Sequence, residues 1–255
     1  MTTLKAPNRW LTREIEVVVV GAGGNGSEAV DALAQFHTAM LALGHPHGLS
    51  VTILDDSIVR EPNIVRQRFW PCDIGQNKAV CLANRYNMMM GLDWKGIPSR
   101  FTSSSQLFAP DIVISAVDTP SARKAISTNL AERSFAPPIW LDLGNNARNG
   151  QAILGIVGNP AYPTVFDRYP HAQDLPDDNR KSCSTAEAIS SQDCLVNRIV
   201  TSAGMSIIWE LLRYGETTKN GVVIDLESGR QIPMPFPRST DADSNSPSPQ
   251  QTHAA

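Results

Sequence analysis

Charged side chains that could bind a nucleotide follow the apolar runs in the first half of the sequence. Asp55 and Asp118 each come directly after such a run, and Arg66, Arg68 and Lys78 lie a short distance beyond Asp55. A carboxylate can bind a ribose hydroxyl or Mg²⁺, whereas arginine and lysine neutralise phosphate oxygens. These residue types together predict nucleotidyl transfer, in which a triphosphate and its departing pyrophosphate must be neutralised. Taken one at a time, a solvated basic loop and a helix-capping Asp118 are the alternative interpretations.

A glycine-rich turn precedes these residues. Gly21, Gly23, Gly24 and Gly26 follow a β-branched apolar run and come before a stretch with apolar residues at helical spacing. Glycines let backbone amides approach a phosphate, and the next helix presents its positive end to the same anion. The pattern suits NAD and ATP equally, and a tight turn without a ligand is a third interpretation. The cations after Asp55 favour ATP, because a dehydrogenase gains little from positive charge beyond the pyrophosphate.

Strands and helices alternate through the first 145 residues, which predicts an α/β fold. The expected sheet is Rossmann-like, doubly wound and mostly parallel, and it is flanked by helices. Expected strands cover 16–20, 49–54, 111–117 and 138–143, with a possible short one in 95–101. Expected helices cover 27–43, 78–90, 120–135 and about 185–214. The runs 150–157 and 221–226 are typical of antiparallel strands added to that sheet.

The composition changes twice in the second half of the chain. The stretch 159–181 is polar and rich in Pro and Asp, and the segment after Pro233 alternates Pro, Ser, Asp and Gln. We predict one folded domain over 1–232, with a crossover segment at about 159–185. A disordered tail is expected over 233–255, because it has little to bury.

The charge balance argues against partners that bind through diffuse electrostatics. The net charge is -3 and the pI is about 5.9, so binding to nucleic acid or to an anionic membrane is not expected. No apolar run approaches the roughly 20 residues that span a bilayer, and the N-terminus lacks the apolar core of a signal peptide. A cytoplasmic protein is therefore predicted. The four cysteines include no Cys-x-x-Cys pair, so neither a disulfide framework nor a zinc site is expected.

Four ordered motifs resemble the ThiF/MoeB (HesA/MoeB/ThiF) family of ubiquitin-activating-type enzymes. They are the glycine segment 21–26, the stretch 55–67, the short stretch 74–78 and the run 111–118 that ends in aspartate. The segment 182–186 and the helix after it are similar to the crossover region of these enzymes, so the resemblance covers most of the chain. Within the family, the spacing, this segment and the Pro/Ser tail are most similar to the ThiF-like proteins of PRTRC gene systems.

The resemblance implies an ubiquitin-like modifier-activating enzyme of the adenylyltransferase type, which uses ATP and Mg²⁺ and acts as a homodimer. Its partner would be a small ubiquitin-like protein, whose C-terminal carboxylate becomes an acyl adenylate. In the family, the aspartate matched by Asp55 binds ribose, and the aspartate matched by Asp118 binds Mg²⁺. The implied catalytic residues are Arg66, Lys78, Asp118 and Cys183. The implied ATP-binding residues are Gly21, Gly23, Gly24, Gly26, Asp55, Asn63, Arg66, Gln67 and Lys78.

Cys183 aligns with a position where some relatives carry a cysteine that becomes acylated or forms an acyl disulfide. A thiolate there could take the acyl group from AMP, and the alternative is an inert, partly buried thiol before a helix. The other cysteines, Cys72, Cys81 and Cys194, lie in apolar or helical contexts and are predicted to be core thiols.

The chain departs from the family pattern in three places. Ser57 stands where a second aspartate is common, which leaves a metal or water contact open, and the paired zinc cysteines are absent. The N-terminal segment is short, so Arg9 or Arg13 are the candidates for the arginine that reaches the partner subunit's γ-phosphate. Arg123 and Arg148 could reach the nucleotide crevice or form surface ion pairs.

Three other functions stay open. ATP could activate a different carboxylate, on a tRNA base or a peptide, although the low positive charge disfavours tRNA. The chain could instead be a non-catalytic binding subunit, which Ser57 would suit. A dehydrogenase is least favoured, because no hydride-transfer residues are evident.

Overall fold

The computed structural model describes residues 2–107, 109–132, 137–177 and 193–238. Its strands within these ranges are β1 (Leu4–Lys5), β2 (Ile15–Val20), β3 (Leu49–Leu54), β4 (Lys95–Ile97), β5 (Ile112–Ser115), β6 (Ile139–Asn145), β7 (Asn149–Gly155), β8 (Glu216–Thr217), β9 (Lys219–Asp225) and β10 (Arg230–Pro235). Eight of these described strands form one sheet in the order β10-β9-β7-β6-β5-β2-β3-β4.

The sheet has a parallel part and an antiparallel extension. β4, β3, β2, β5 and β6 run parallel to one another, whereas β7, β9 and β10 are added antiparallel at the β6 edge. The valine run of β2 suits a strand that is covered on both faces. This architecture confirms the predicted α/β, Rossmann-like fold with its antiparallel additions.

The described helices are α1 (Gly24–Ala42), α2 (Glu61–Ile64), α3 (Lys78–Met90), α4 (Pro120–Ala131), α5 (Val165–Arg168) and α6 (Val196–Tyr214). α1 begins three residues earlier than expected, because part of the glycine turn itself adopts the helical conformation. Within the predicted helix over about 185–214, positions 193–195 form a loop and turn and the helix begins at Val196, whereas 185–192 lie outside the described residues. Among the described helices, none is long and apolar enough to cross a membrane.

Helices cover both faces of the sheet and enclose two apolar cores. Val17 and Val19 share one core with residues of α1, α3 and α6, whereas Val18 and Val20 share the other with residues of α4 and α5. Successive residues of a strand point to opposite faces, so β2 contributes to both cores. The doubly wound arrangement predicted from the sequence is thus present.

The C-terminal part of the described chain is packed more extensively than the sequence suggests. β10 continues to Pro235, and Phe236 is 2% exposed with its ring edge-on to Tyr162 at 5.2 Å. The predicted end of the folded domain at position 232 is therefore too early, because Phe236 supplies apolar surface that the core buries. The remainder of the predicted tail, 239–255, lies outside the described residues.

A buried carboxylate fastens the N-terminal segment to the sheet. Asp111, 2% exposed, lies just before β5 and accepts hydrogen bonds from Arg13 Nη2 at 2.7 and 2.8 Å. It also accepts from Arg9 Nη2 at 2.9 Å and from the Glu16 backbone N–H at 3.1 Å. Both arginines are themselves partly exposed. Both arginines compensate the negative charge of Asp111, because a buried charge without a partner is strongly destabilising.

Arg9→Gln and Arg13→Gln should each lower the free energy of unfolding by about 1 kcal/mol, because the other arginine still compensates Asp111. The double variant should lose about 3–5 kcal/mol, because the carboxylate is then buried without a cation. Urea unfolding of the wild type, both single variants and the double variant gives the coupling free energy. Additive losses would contradict the shared role. Arg213→Gln, at an exposed site near the end of α6, is the matched control.

The cysteines differ in their exposure. Cys81 in α3 is buried, whereas Cys72 and Cys194 are exposed. The prediction of core thiols is thus confirmed for Cys81 and wrong for the other two, since Cys72 lies in a short surface helical turn and Cys194 precedes α6. Burial, followed by hydrogen bonding to Asp73, raises the pKa of Cys81 to about 12.

Iodoacetamide at pH 8 should alkylate Cys72 and Cys194 and leave Cys81 unmodified in the folded protein. A thiol of pKa about 12 is ionised to only about one part in 10⁴ at pH 8, and the thiolate is the reactive form. Peptide mapping by mass spectrometry measures each site. Labelling after unfolding in guanidinium chloride is the control and should include Cys81. If Cys81 in the folded protein reacted as fast as Cys72 and Cys194, its thiol would be accessible to solvent and the prediction would be wrong.

Candidate nucleotide-binding site

Three neighbouring parallel strands end at the same edge of the sheet. β3, β2 and β5 are adjacent, and the chain continues from them into Asp55, Gly21 and Asp118 respectively. β2 has β3 on one side and β5 on the other, so the order of the strands reverses here. Open α/β sheets bind their ligands at such a switch point. The structure therefore places the glycine turn and both aspartates at one crevice.

The carboxylate of Asp55 joins two of these segments. Its Oδ2 accepts a hydrogen bond from the Ala22 N–H at 2.6 Å, and its Oδ1 accepts from the Ser57 N–H at 2.7 Å. The carbonyl of Ser57 in turn accepts from the Lys78 N–H at 2.9 Å. Asp55 thus fixes the glycine turn and, through Ser57, the start of α3. Ser57 takes part through its backbone, so this role does not require an aspartate side chain at that position.

The four glycines of the turn are needed for different reasons. Gly21 has a φ of 91°, which favours glycine, and a β-carbon at Gly26 would lie 1.9 Å from the Gly21 carbonyl oxygen. A β-carbon at Gly24 would lie 2.4 Å from the side chain of Asn197. Of the four, Gly23 alone faces open space, next to the positive N-terminal end of α1. The tight-turn interpretation accounts for three of the glycines, and Gly23 stays a candidate phosphate contact.

The loop after α2 carries Arg66 and Gln67 along a cleft of about 250 Å³. Arg66 Nε and Gln67 Oε1 are buried and have no hydrogen-bond partner among the described residues. Burial lowers the pKa of Arg66, and Asp118 and Cys194 oppose that shift. Buried polar atoms without a partner are rare unless a ligand or water satisfies them. Arg66 and Gln67 are therefore candidates for contact with a bound molecule.

Arg68 fastens this loop to α1. Its guanidinium pairs with Glu28 at 2.9 Å and with Asp31 at 3.1 Å, and its backbone N–H donates to Ser27 Oγ at 3.0 Å. Burial acts to lower the pKa of Arg68, but Glu28 and then Asp31 raise it above its ordinary value. The sequence groups Arg68 with the phosphate-binding cations, whereas the structure uses it to hold the segment that presents Arg66.

Asn63 shapes the same loop from within. Its Oδ1 accepts a hydrogen bond from the Arg60 N–H at 2.9 Å, and its carbonyl accepts from the Gln67 N–H at 3.0 Å. The side chain therefore caps α2 in this structure. A contact of Asn63 with ATP stays a prediction.

Asp118 and Lys78 interact across the crevice. Lys78 is the first residue of α3 and is largely buried, whereas Asp118 is open to solvent in the turn between β5 and α4. The pKa of Asp118 is raised, chiefly by desolvation from the surrounding protein and also by the negative charge of Asp55. The positive charges of Lys78 and Arg66 oppose this rise.

Among the described residues, no group of three or more His, Cys, Asp or Glu side chains is placed to hold a metal ion. Mg²⁺ does not require such a group, because it is commonly bound by one or two carboxylates together with substrate phosphates and water. The solvent-open carboxylate of Asp118, with Asp55 nearby, fits that kind of site. The donor set suits Mg²⁺ that arrives with a nucleotide.

Arg123 and Arg148 are the two further arginines predicted to reach the crevice or to form surface ion pairs, and the structure gives them different partners. Arg123 on α4 pairs with the buried Asp142 at 2.8 Å, and its positive charge lowers the pKa of Asp118. Arg148 lies 4.0 Å from Glu227, and both of those side chains are exposed. Sequence reasoning missed Asp142, although a carboxylate inside an otherwise apolar strand was a signal for it.

The remaining predicted residues lie elsewhere. Cys183 is outside the described residues, so its position is not given. Arg9 and Arg13 bind Asp111 at the amino end of β5, whereas the crevice lies at the carboxyl end of that strand. An action of either arginine on a partner subunit's nucleotide stays a prediction.

Comparison with solved structures finds the same fold at low sequence identity. PaaA matches with a TM-score of 0.62 and 14% identity, over 87% of this chain and 64% of that one. E. coli MccB with ATP matches with a TM-score of 0.62 and 15% identity, over 91% of this chain and 66% of that one. E. coli MccB with AMPCPP and MccA matches with a TM-score of 0.61 and 15% identity, over 88% of this chain and 65% of that one. The chain thus spans a little under two thirds of the length of these proteins. The comparison with curated proteins gave no match.

The comparison with protein families gives a match over most of the chain. The family model described as the ThiF family matches residues 8–227. This range includes the glycine turn, Asp55, the Arg66 loop and Asp118, together with the parallel part of the sheet. On this evidence the chain belongs to the ThiF family.

Proposed function

We propose that the chain is an ATP- and Mg²⁺-dependent adenylyltransferase that activates the C-terminal carboxylate of a small ubiquitin-like protein. The crevice that gathers Asp55, the glycine turn, Lys78, Arg66 and Asp118 is the observation that carries this proposal. Membership of the ThiF family supports it, and a protein of similar fold, MccB, has been crystallised with ATP. The resemblance of the motifs to PRTRC systems suggests the type of partner.

Each side chain has a role that follows from its surroundings. Asp55 uses two hydrogen bonds to hold the backbone, and a carboxylate can accept about four, so capacity remains for ribose hydroxyls. The open backbone at Gly23 and the start of α1 receive phosphate oxygens. Arg66 and Lys78 supply positive charge where pyrophosphate departs. Gln67 offers its buried Oε1 as an acceptor to the nucleotide or to the carrier.

The reaction is a substitution at the α-phosphorus of ATP. An oxygen of the carrier's terminal carboxylate forms a bond to that phosphorus, and the bond from phosphorus to the bridging oxygen of pyrophosphate breaks. The electron pair leaves with pyrophosphate, whose charge Arg66 and Lys78 stabilise. Asp118 would hold Mg²⁺, and the ion would supply further neutralisation. The product is an acyl adenylate, which is a strong electrophile because AMP leaves readily.

A second step to Cys183 is part of the proposal. The thiolate would attack the acyl carbon of the adenylate, a thioester would form, and AMP would leave with the electron pair of the broken acyl–oxygen bond. We also propose that the chain works as a homodimer, as the family resemblance implies. Both statements depend on the resemblance, and Cys183 lies outside the described residues.

Exchange of labelled pyrophosphate into ATP should require a small ubiquitin-like protein of the kind that the PRTRC resemblance implies. Asp118→Asn should lower that exchange by on the order of 10²-fold, because the carboxylate that neutralises charge through Mg²⁺ is lost. Asp174→Asn, at an exposed site directly after the short helical turn 170–173, serves as the control and should be unchanged. Full exchange in Asp118→Asn would overturn the mechanism. Exchange supported by a peptide or a tRNA in place of the small protein would favour the alternative acyl substrate.

Incubation with ATP, Mg²⁺ and the small protein should produce a covalent adduct that thiols release, and mass spectrometry of the intact protein should detect it. Cys183→Ser should abolish the adduct without abolishing pyrophosphate exchange, because adenylation precedes transfer. Cys194→Ser is the matched control, since that thiol is exposed and near Arg66. An adduct that survives in Cys183→Ser and disappears in Cys194→Ser would assign the acyl acceptor to the other thiol. Exchange without any adduct would exclude the second step.

A further inference from the structure

A buried ion pair lies beneath the turn that carries Asp118. Asp142 on β6 is 1% exposed, and its Oδ1 accepts hydrogen bonds from Arg123 Nε at 2.8 Å and from Ser115 Oγ at 2.6 Å. Trp140 Nε1 donates to Ser115 Oγ at 2.7 Å, so the hydroxyl is held from both sides. The Oδ2 atom of Asp142 has no hydrogen-bond partner among the described residues. The carboxylate therefore depends on Arg123 for its charge compensation.

Arg123 makes a second contact, and that contact reaches the site. Its Nη2 donates to the carbonyl of Val117 at 3.2 Å, and Val117 is the residue directly before Asp118. A peptide unit is planar, so fixing the carbonyl of Val117 also orients the N–H and the Cα of Asp118. The guanidinium thus acts on the backbone from which the Asp118 side chain projects.

The same turn is fixed at two other points. The Ala116 N–H donates to the Val20 carbonyl at 2.8 Å, which ties the turn to β2. Thr119 Oγ1 accepts from the Ala122 N–H at 3.3 Å and caps α4. Between these points, the peptide unit after Val117 is held by Arg123. The direction of the Asp118 carboxyl therefore depends on all three contacts.

Stability alone gives little reason for this ion pair. A buried pair loses much of its Coulomb energy to desolvation, and apolar residues of similar volume often stabilise a core as well or better. The arginine is suited to positioning instead, because its planar fork presents several N–H donors in fixed directions. One group can then bind Asp142 and the Val117 carbonyl together. A lysine has the charge but not this fork.

We infer that Arg123, oriented by Asp142, is a positioning residue that directs the Asp118 carboxyl toward the Mg²⁺ that accompanies ATP. This inference rests on the proposed function, in which Asp118 binds that ion. It assigns a purpose to a buried ion pair that the reaction itself does not use. Loss of this positioning should therefore weaken ATP binding when Mg²⁺ is present and leave binding without Mg²⁺ unchanged, because Arg123 acts through the backbone of Asp118.

The test is titration calorimetry of ATP into the full chain, once with excess Mg²⁺ and once with EDTA. In the wild type, Mg²⁺ should tighten ATP binding, and Asp118→Asn should lose that gain. Arg123→Lys and Asp142→Asn should bind ATP in EDTA as the wild type does. Their Kd with Mg²⁺ should rise by on the order of 10-fold, the usual cost of removing a partner that orients a metal ligand. Arg123→Lys keeps the positive charge, so its loss would come from the missing fork.

The controls separate positioning from folding. Thermal melts of each variant report its stability, and Arg213→Gln should resemble the wild type in all measurements. Equal weakening of ATP binding in Mg²⁺ and in EDTA, with a lower melting temperature, would overturn the inference in favour of a structural role. Wild-type behaviour of both pair variants, while Asp118→Asn loses the Mg²⁺ gain, would also overturn it. Failure of the wild type to bind ATP would instead count against the proposed function.

Discussion

The backbone hydrogen bonds of the Asp55 carboxylate are the interaction on which the rest of the site depends. They join the Ala22 N–H of the glycine turn to the Ser57 N–H of the next loop, and Ser57 passes the constraint to the first amide of α3. Hydrogen bonds to an ionised acceptor are stronger than neutral ones, so a single side chain can fix three segments. Lys78 begins the third of these segments. The position of Lys78 thus depends on the hydrogen bonds that Asp55 makes.

The basic side chains of this region fall into two groups. Arg68 and Arg123 pair with carboxylates of the protein itself, and each holds a segment of backbone: Arg68 the loop that carries Arg66, and Arg123 the turn that carries Asp118. Arg66 and Lys78 instead lie near the solvent-open carboxylate of Asp118. Arg68 and Arg123 thus shape the site, and Arg66 and Lys78 stay the candidates for its chemistry under the proposed function. This division is why a count of basic residues overstates the charge available to a ligand.

The sequence was sufficient for the features that follow from local pattern. The valine run predicts β2, the alternating strands and helices predict a parallel sheet, and parallel topology then places residues 21, 55 and 118 at one edge. Features that depend on distant partners were not predictable in the same way. The pairing of Arg68 with α1 needs the folded positions of Glu28 and Asp31. The burial of Phe236 depends on a ring about seventy residues earlier in the chain, which composition does not reveal.

The glycine turn shows the same limit most clearly. The sequence predicts all four glycines equally as phosphate contacts. The structure explains Gly24 differently, because the side chain of Asn197 on α6 fills the space beside it. Asn197 also donates to Asn25 and Asn145, each at 3.0 Å, so the turn rests on a buried amide cluster that ties α1 to β6 and α6. The Oδ1 atom of Asn197 has no hydrogen-bond partner among the described residues, so this cluster is only partly satisfied.

The charges of the crevice bear on the form in which ATP would enter it. Among the described residues, Arg66 and Lys78 face Asp55 and Asp118, while the charge of Arg123 is offset by Asp142. When all four are ionised, these groups carry two positive and two negative charges. A triphosphate adds several negative charges to a region with little positive charge to spare, and its burial without a counterion would be costly. A divalent cation that travels with the phosphates removes most of that cost, and the solvent-open carboxylate of Asp118 is then an attractive ligand where it would otherwise repel the nucleotide.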